Sequence, residues 1–161
     1  MGIIANFTRL SNNWNKVDLI AIVGDIAEEK EAQVTELQSK QLLAGKDNEG
    51  HYLPRYVDDP YFKSREAALR YMNWKIGKSP NKEKPNDVMD FWITGYTHST
   101  LFSKRQGNSI LFGSNGKFNN SIMLKTDGKY LGLNKESLQE GWRLIFRDAA
   151  IVKINQIIHS K

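Results

Sequence analysis

The sequence contains no cysteine. That excludes a disulfide framework, a zinc–thiolate or iron–sulfur centre, and thiol catalysis. Long apolar runs are absent as well. The longest, Leu19 to Gly24, falls far short of the ~20 residues a membrane helix needs, so no membrane partner is expected. Histidine is scarce: His51, His98 and His159 sit in three separate regions, with no HxH or HExxH spacing to hold a metal. No GxxxxGK[ST] or GxGxxG cradle occurs, and Gly113-Ser114-Asn115-Gly116-Lys117 lacks the Walker spacing and reads as a turn. The start of the chain has no basic stretch leading into a long apolar segment, so no signal peptide is expected.

What is present describes a folded chain. Of its 161 residues, 40% are apolar, 25% charged and 11% aromatic, the profile of one globular domain over residues 1–161. Residues 1–17 read as an N-terminal arm or short helix. The net charge of +5 is unevenly placed, with the whole excess in residues 81–161. Asp25, Glu28, Glu29, Glu31 and Glu36 cluster early, whereas Lys63, Arg65, Arg70, Lys75, Lys78, Lys82 and Lys84 cluster later. An acidic face and a basic face on one small protein suit either plain solvation or head-to-tail self-association.

Hydrophobic spacing predicts the elements. Asp18 caps a long helix reaching Ala44, with Ile20, Val23, Ile26, Ala27, Val34, Leu37 and Leu42 at helical spacing and Gly45 at its end. Gly24 is expected to weaken or bend it by about 1 kcal/mol relative to Ala. Residues 45–62 read as a loop interrupted by Tyr52, Tyr56, Tyr61 and Phe62, rings that belong against the fold or a partner. Ser64 caps a helix from Arg65 to Ile76, ended by Gly77. Val88–Thr94 reads as a strand, Tyr96–Lys104 as a short helix or a second strand, and Ser109–Gly113 as a strand. Phe118–Lys125 is a short helix. Asn134 caps a final helix to about Ile158, whose stripe is Leu138, Trp142, Ile145, Phe146, Ala149, Val152 and Ile157. The fold class is α+β: a small sheet packed with a long N-terminal helix and a C-terminal amphipathic helix.

Three pieces of the chain together resemble a known pattern. One is Gln41-Leu42-Leu43-Ala44-Gly45-Lys46-Asp47-Asn48-Glu49-Gly50, with the long helix before it and the Tyr-rich loop and basic helix after it. Another is Phe91-Trp92-Ile93-Thr94-Gly95-Tyr96-Thr97-His98-Ser99-Thr100, with a strand carrying Phe112-Gly113-Ser114 beyond it. The last is Tyr130-Leu131-Gly132-Leu133-Asn134, leading into the terminal helix. From about Ala32 onward this layout resembles the tail-completion or neck proteins of tailed phages, most of all those of crAss-like and related Bacteroidetes phages. Ser99 fits the family pattern, while Tyr96 and His98 depart from it. The resemblance implies a compact α+β subunit in a virion ring between portal and tail, assembled in the bacterial cytoplasm, with no catalytic residue and no cofactor. Its implied partners are further copies of itself and neighbouring portal, neck or tail proteins, with non-specific contact to DNA in the channel. Thr94, Gly95 and Ser99 map onto the shared motif, and physically they describe a corner: Gly permits positive φ, and Thr can bond back to the backbone.

The residues that could carry chemistry read more plainly. Asp58-Asp59 and Asp87…Asp90 suit turns and caps better than a magnesium site. His98 near Asp87 and Asp90 permits a hydrolase reading, but the plainer account is a surface or half-buried histidine. The scattered lysines of the second half permit an alternative function, a basic nucleic-acid-binding protein of a mobile element, although they form no dense run. The expectation is a non-enzymatic subunit of a phage neck or tail ring. Its assembly contacts are Tyr52, Tyr56, Tyr61, Phe62, Thr94, Gly95 and Ser99.

Overall fold

A computed structural model describes residues 3–160, with side chains from residue 8 onward. The architecture is α+β, as the periodicity predicts. In chain order the elements are α1 (Ile3–Trp14), α2 (Leu19–Glu29), α3 (Glu31–Leu43), α4 (Arg65–Ile76), α5 (Tyr96–Ser99), β1 (Leu101–Gln106), β2 (Ser109–Ser114), α6 (Asn119–Thr126), α7 (Lys135–Gly141), a π turn (Trp142–Phe146) and α8 (Arg147–Ile158). The strands pair antiparallel in a single hairpin, from Leu101 opposite Ser114 to Gln106 opposite Ser109.

The helix predicted over 18–44 starts as expected, with Asp18 Oδ1 accepting from the Ile20 and Ala21 amides at 3.0 Å. It is not one helix, however. Lys30 leaves helical geometry at φ −116° and ψ 25°, dividing α2 from α3. The division lets one segment serve two cores. Val34, in the first turns of α3, packs with Ile22, Ile26, Ala27, Phe146 and Ala150. Leu42, at its end, packs with Leu53, Tyr56, Val88, Met89, Leu101, Ile122 and Tyr130. A straight helix of that length would have left one of these faces uncovered.

The segment 88–94 is a second correction. Val88 makes an isolated bridge to Arg55, and no strand continues from it. Phe91 takes the backbone out of extended geometry at φ +52°, a conformation costing a bulky residue ~1–3 kcal/mol. The ambiguous stretch after Gly95 resolves into both alternatives in turn, α5 and then β1.

The C-terminal helix keeps its Asn134 cap, which accepts from the Ser137 amide at 2.8 Å. Its apolar stripe is cut by the π turn. One extra residue in the turn rotates the rest of the helix by about 100°. Gly141, Phe146 and Ala150 therefore share the buried side, while Leu138, Trp142 and Val152 face outward. At the other end, buried Asn13 ties α1 to the helix terminus, donating to the carbonyls of Ile158 (2.9 Å) and Ser160 (3.2 Å).

The three motifs of the sequence converge in space. Gln41 Nε2 donates to the carbonyls of Asp47 and Gly132, both at 3.0 Å, and its Oε1 accepts from the Asn134 amide at 2.8 Å. Asn48 Nδ2 donates to Leu131 O at 3.0 Å. Phe91 meets Tyr130 edge-on at 6.1 Å. The motif residues thus fasten the connector 130–134 to the end of α3.

Candidate functional site

Two concave surfaces and one turn concentrate side chains that packing alone does not consume. The first surface is a cleft of about 530 Å³ between α4 and α6. Tyr56, Phe62, Tyr71, Phe91 and Ile122 form its walls, with Tyr61 and Phe118 on its rim. Tyr71 joins the rings in edge-on and tilted contacts, 5.4 Å from Tyr56, 5.2 Å from Phe62 and 5.5 Å from Trp74. Asp59 is tied at one edge, with Oδ1 accepting from the Tyr61 amide and Oδ2 from Lys125 Nζ at 2.6 Å.

Beneath the cleft lies a buried charge cluster. Lys75, which lines the cleft, pairs with Asp90 Oδ1, and Lys84 Nζ stands 3.8 Å from Asp90 Oδ2. Lys84 also donates to Val88 O at 2.8 Å and Pro85 O at 3.3 Å. Burial alone would raise the Asp90 pKa, but Lys75, Ser79 and the Trp92 amide outweigh it and hold the carboxyl below its usual range. Burial pushes the Lys84 ammonium down, with Asp90 opposing. The Tyr56 hydroxyl is buried without a well-directed hydrogen bond. Burial, reinforced by the Asp90 charge, drives its pKa upward, so it stays a protonated donor.

His98 closes the back of this region. Its Nε2 lies 2.8 Å from Asp90 O, and its Nδ1 lies 2.8 Å from Ser39 Oγ. A carbonyl can only accept, so Nε2 carries a proton, and in the neutral imidazole Nδ1 accepts from the serine. Burial lowers the His98 pKa. His98 thus contacts the main chain of Asp90, while the Asp90 carboxylate turns toward the two lysines. Asp87 is elsewhere, paired with Arg55 at 3.3 Å.

The second surface is an apolar groove of about 450 Å³ between the start of α2, the hairpin and α7, flanked by Leu19, Ile20, Ile110, Phe112, Leu138 and Phe146. Leu19 and Ile20 are each 58% exposed and Leu138 56%. Trp14, Trp74 and Trp142 are likewise at least half exposed. Patches of this kind are uncommon on a free monomer.

The turn is residues 47–51. Asp47 Oδ1 accepts from the Glu49 and His51 amides at 2.9 and 2.8 Å. Asp47, Glu49 and His51 bring three donor atoms within 4.8 Å of one another. Lys129 already binds Glu49 at 2.9 Å, and that ion pair accounts for the acidic arm of the cluster.

The expected contact residues fall in different settings. Tyr61 and Phe62 belong to the cleft, and Tyr61 is 79% exposed. Tyr52 is exposed outside the cleft, with Lys46 Nζ 3.6 Å above its ring. Tyr56 is 4% exposed and lies in the inner wall of the cleft rather than on the outer surface. Gly95, at φ +81°, forms the expected corner, and a Cβ there would press on the Trp92 ring. Thr94 and Ser99 are exposed, and Ser99 bonds back to Tyr96 O at 2.9 Å. Sequence reasoning missed the Lys75–Asp90–Lys84 cluster. A signal existed: Lys75 stands at the core-facing phase of α4, four residues after Tyr71, and Asp90 interrupts the apolar run Val88-Met89…Phe91-Trp92.

In comparisons with family models, curated proteins and solved structures, the chain matches none.

Proposed function

We propose that this chain is a non-enzymatic structural subunit of a tailed-phage particle that assembles into a ring at the neck or tail. The resemblance of its three motifs to tail-completion proteins motivates the reading. The observation that carries it is the open apolar groove. Leu19, Ile20 and Leu138 leave their side chains in water around Ile110, Phe112 and Phe146. Burying apolar surface is worth roughly 25 cal/mol per Å², so an uncovered groove is a standing drive to associate. Its walls come from elements distant in sequence, so it exists only in the folded subunit, as ring closure by folded copies requires.

The test is quantitative mass spectrometry of purified particles, scaled to the major capsid protein. A low fixed copy number, on the order of one or two closed rings per particle, is the expected result. Absence from particles would remove the structural reading and leave the nucleic-acid alternative to be tested by salt-dependent DNA binding.

A further inference from the structure

The cleft between α4 and α6 has two features that a simple seam between elements does not need. The first is charge. Lys75 and Lys84 are both buried, and among the described residues Asp90 is the carboxylate that pairs with both. Burial favours the neutral form of His98, which fits its two hydrogen bonds. Lys84 is satisfied in part by main-chain carbonyls. Lys75 faces the cleft, and one excess positive charge sits behind its wall. The second feature is the Tyr56 hydroxyl, a donor 4% exposed in a residue lining the same cleft and without a well-directed acceptor. Both favour an anionic acceptor entering through the aromatic wall, beside Asp90 Oδ2, which is itself buried without a hydrogen-bond partner.

The surroundings extend the same chemistry outward. Tyr61, Ile93 and Phe118 carry apolar surface past the rim. The helix that supplies Tyr71 and Lys75, with the loop after it, also carries exposed Arg65, Arg70, Lys78 and Lys82 against exposed Glu66 and Glu83. A small acid would fill the interior and leave this outer surface bare. A chain segment would cover both.

We propose that this cleft is a docking site for an acidic segment of a neighbouring protein, which seats an apolar side chain among the rings and a carboxylate toward the Tyr56 hydroxyl and the Lys75 ammonium. The proposal rests on the reading of the chain as an assembly subunit and names the chemistry of one contact. The partner is recognised by alternating carboxylate and aromatic or aliphatic side chains. The basic excess of α4 and the loop after it speeds its approach, and the rings and buried donors hold it.

The experiment is a ¹H–¹⁵N NMR titration of the full chain with three probes: the blocked peptide acetyl-Glu-Trp-Glu-Leu-Glu-amide, the same peptide with glutamine for every glutamate, and 3-phenylpropionate. The acidic peptide is expected to shift the amides of Tyr56, Tyr71, Lys75 and Ile122 and to bind about tenfold more tightly than the glutamine peptide. Tyr56→Phe, which keeps the ring and its volume, is expected to weaken the acidic peptide about threefold. Equal binding of the two peptides, or shifts confined to other surfaces, would overturn the proposal. Binding of 3-phenylpropionate as tight as that of the acidic peptide would also overturn it, because the ligand would then be a small acid. These outcomes are separable from the function itself. Absence from particles would leave the titration unaffected, and a silent titration would leave ring assembly to the groove on α2 and α7.

Discussion

Asp90 stands between two buried lysines, taking Lys75 on Oδ1 and facing Lys84 across 3.8 Å on Oδ2. The arrangement joins α4 to the irregular segment after Val88, a segment with almost no ladder hydrogen bonds of its own. Removing one member leaves an uncompensated charge in the interior. Asp90→Asn should therefore destabilise the fold by ~3–5 kcal/mol, whereas replacing the cluster together, Lys75→Met and Lys84→Met with Asp90→Leu, should recover much of that loss. Urea unfolding monitored by tryptophan fluorescence measures both. A triple variant no more stable than Asp90→Asn would show that the cluster contributes more than mutual neutralisation.

The His98 imidazole makes stability depend on pH in a defined direction. Burial holds its pKa below the ordinary value of 6.5. As pH falls, the unfolded chain takes up this proton before the folded one does, so folding is fully favoured above about pH 7 and loses ground below ~6.5. The slope is at most about 1.4 kcal/mol per pH unit for one proton. Asp90, held below its usual range, adds a second loss that begins only near the ordinary carboxylate value of 3.8. Thermal melts from pH 8 to pH 5 should show Tm declining through this window. The decline should be shallower in His98→Gln. An equal slope in both proteins would assign the effect to other groups.

Gly45 ends α3 at φ +69°, and a Cβ there would meet Val88 Cγ1 at 2.6 Å and the Met89 carbonyl at 3.3 Å. Backbone strain and a clash with the core act together at this position. Gly45→Ala should cost ~2–3 kcal/mol, against less than ~0.5 kcal/mol at open, exposed positions. Chemical denaturation of Gly45→Ala beside Tyr52→Ala, which truncates an exposed ring, provides the contrast. Tyr56→Ala, which empties a core position, should cost ~3–5 kcal/mol.

Much of this was legible in the sequence where one residue type has one physical use. Asp18, Ser64 and Asn134 cap the helices they were expected to cap, because a side-chain oxygen before an apolar repeat has few other roles. The break at Lys30 was not legible. Nothing in Glu28-Glu29-Lys30-Glu31 opposes a helix, and the bend is imposed by two cores that α2 and α3 must reach together. The π turn was equally hidden, since Leu138, Trp142 and Ile145 continue a helical stripe on paper. Val88–Thr94 has strand composition but no neighbour to pair with beyond Arg55. The cleft was half legible: its tyrosines were singled out, but the buried lysines were read as part of a basic face, solvated or used in self-association, because burial of a lysine depends on a carboxylate 15 residues away.

The outward rotation of Leu138 and Trp142 by the π turn leads to the prediction that bears most directly on assembly. Leu19, Ile20 and Leu138 are exposed, so exchanging them for charged residues removes little packing from the monomer. Ile20→Glu and Leu138→Glu should change unfolding free energy by less than about 1 kcal/mol. At a subunit interface the same changes bury unpaired carboxylates against an apolar wall, a penalty of several kcal/mol for each copy. The penalty repeats at every interface of a closed ring, so its effect on the ring far exceeds its effect on one subunit. Both variants should therefore express and fold, with monomer melts close to the parent, yet be absent from particles in a complementation assay. Leu124→Glu is the control: Leu124 is the most exposed of the large apolar residues named, at 83%, and lies outside the groove. Incorporation of the groove variants at the parent level would mean that subunits meet elsewhere, and it would leave the aromatic cleft as the surface to test next.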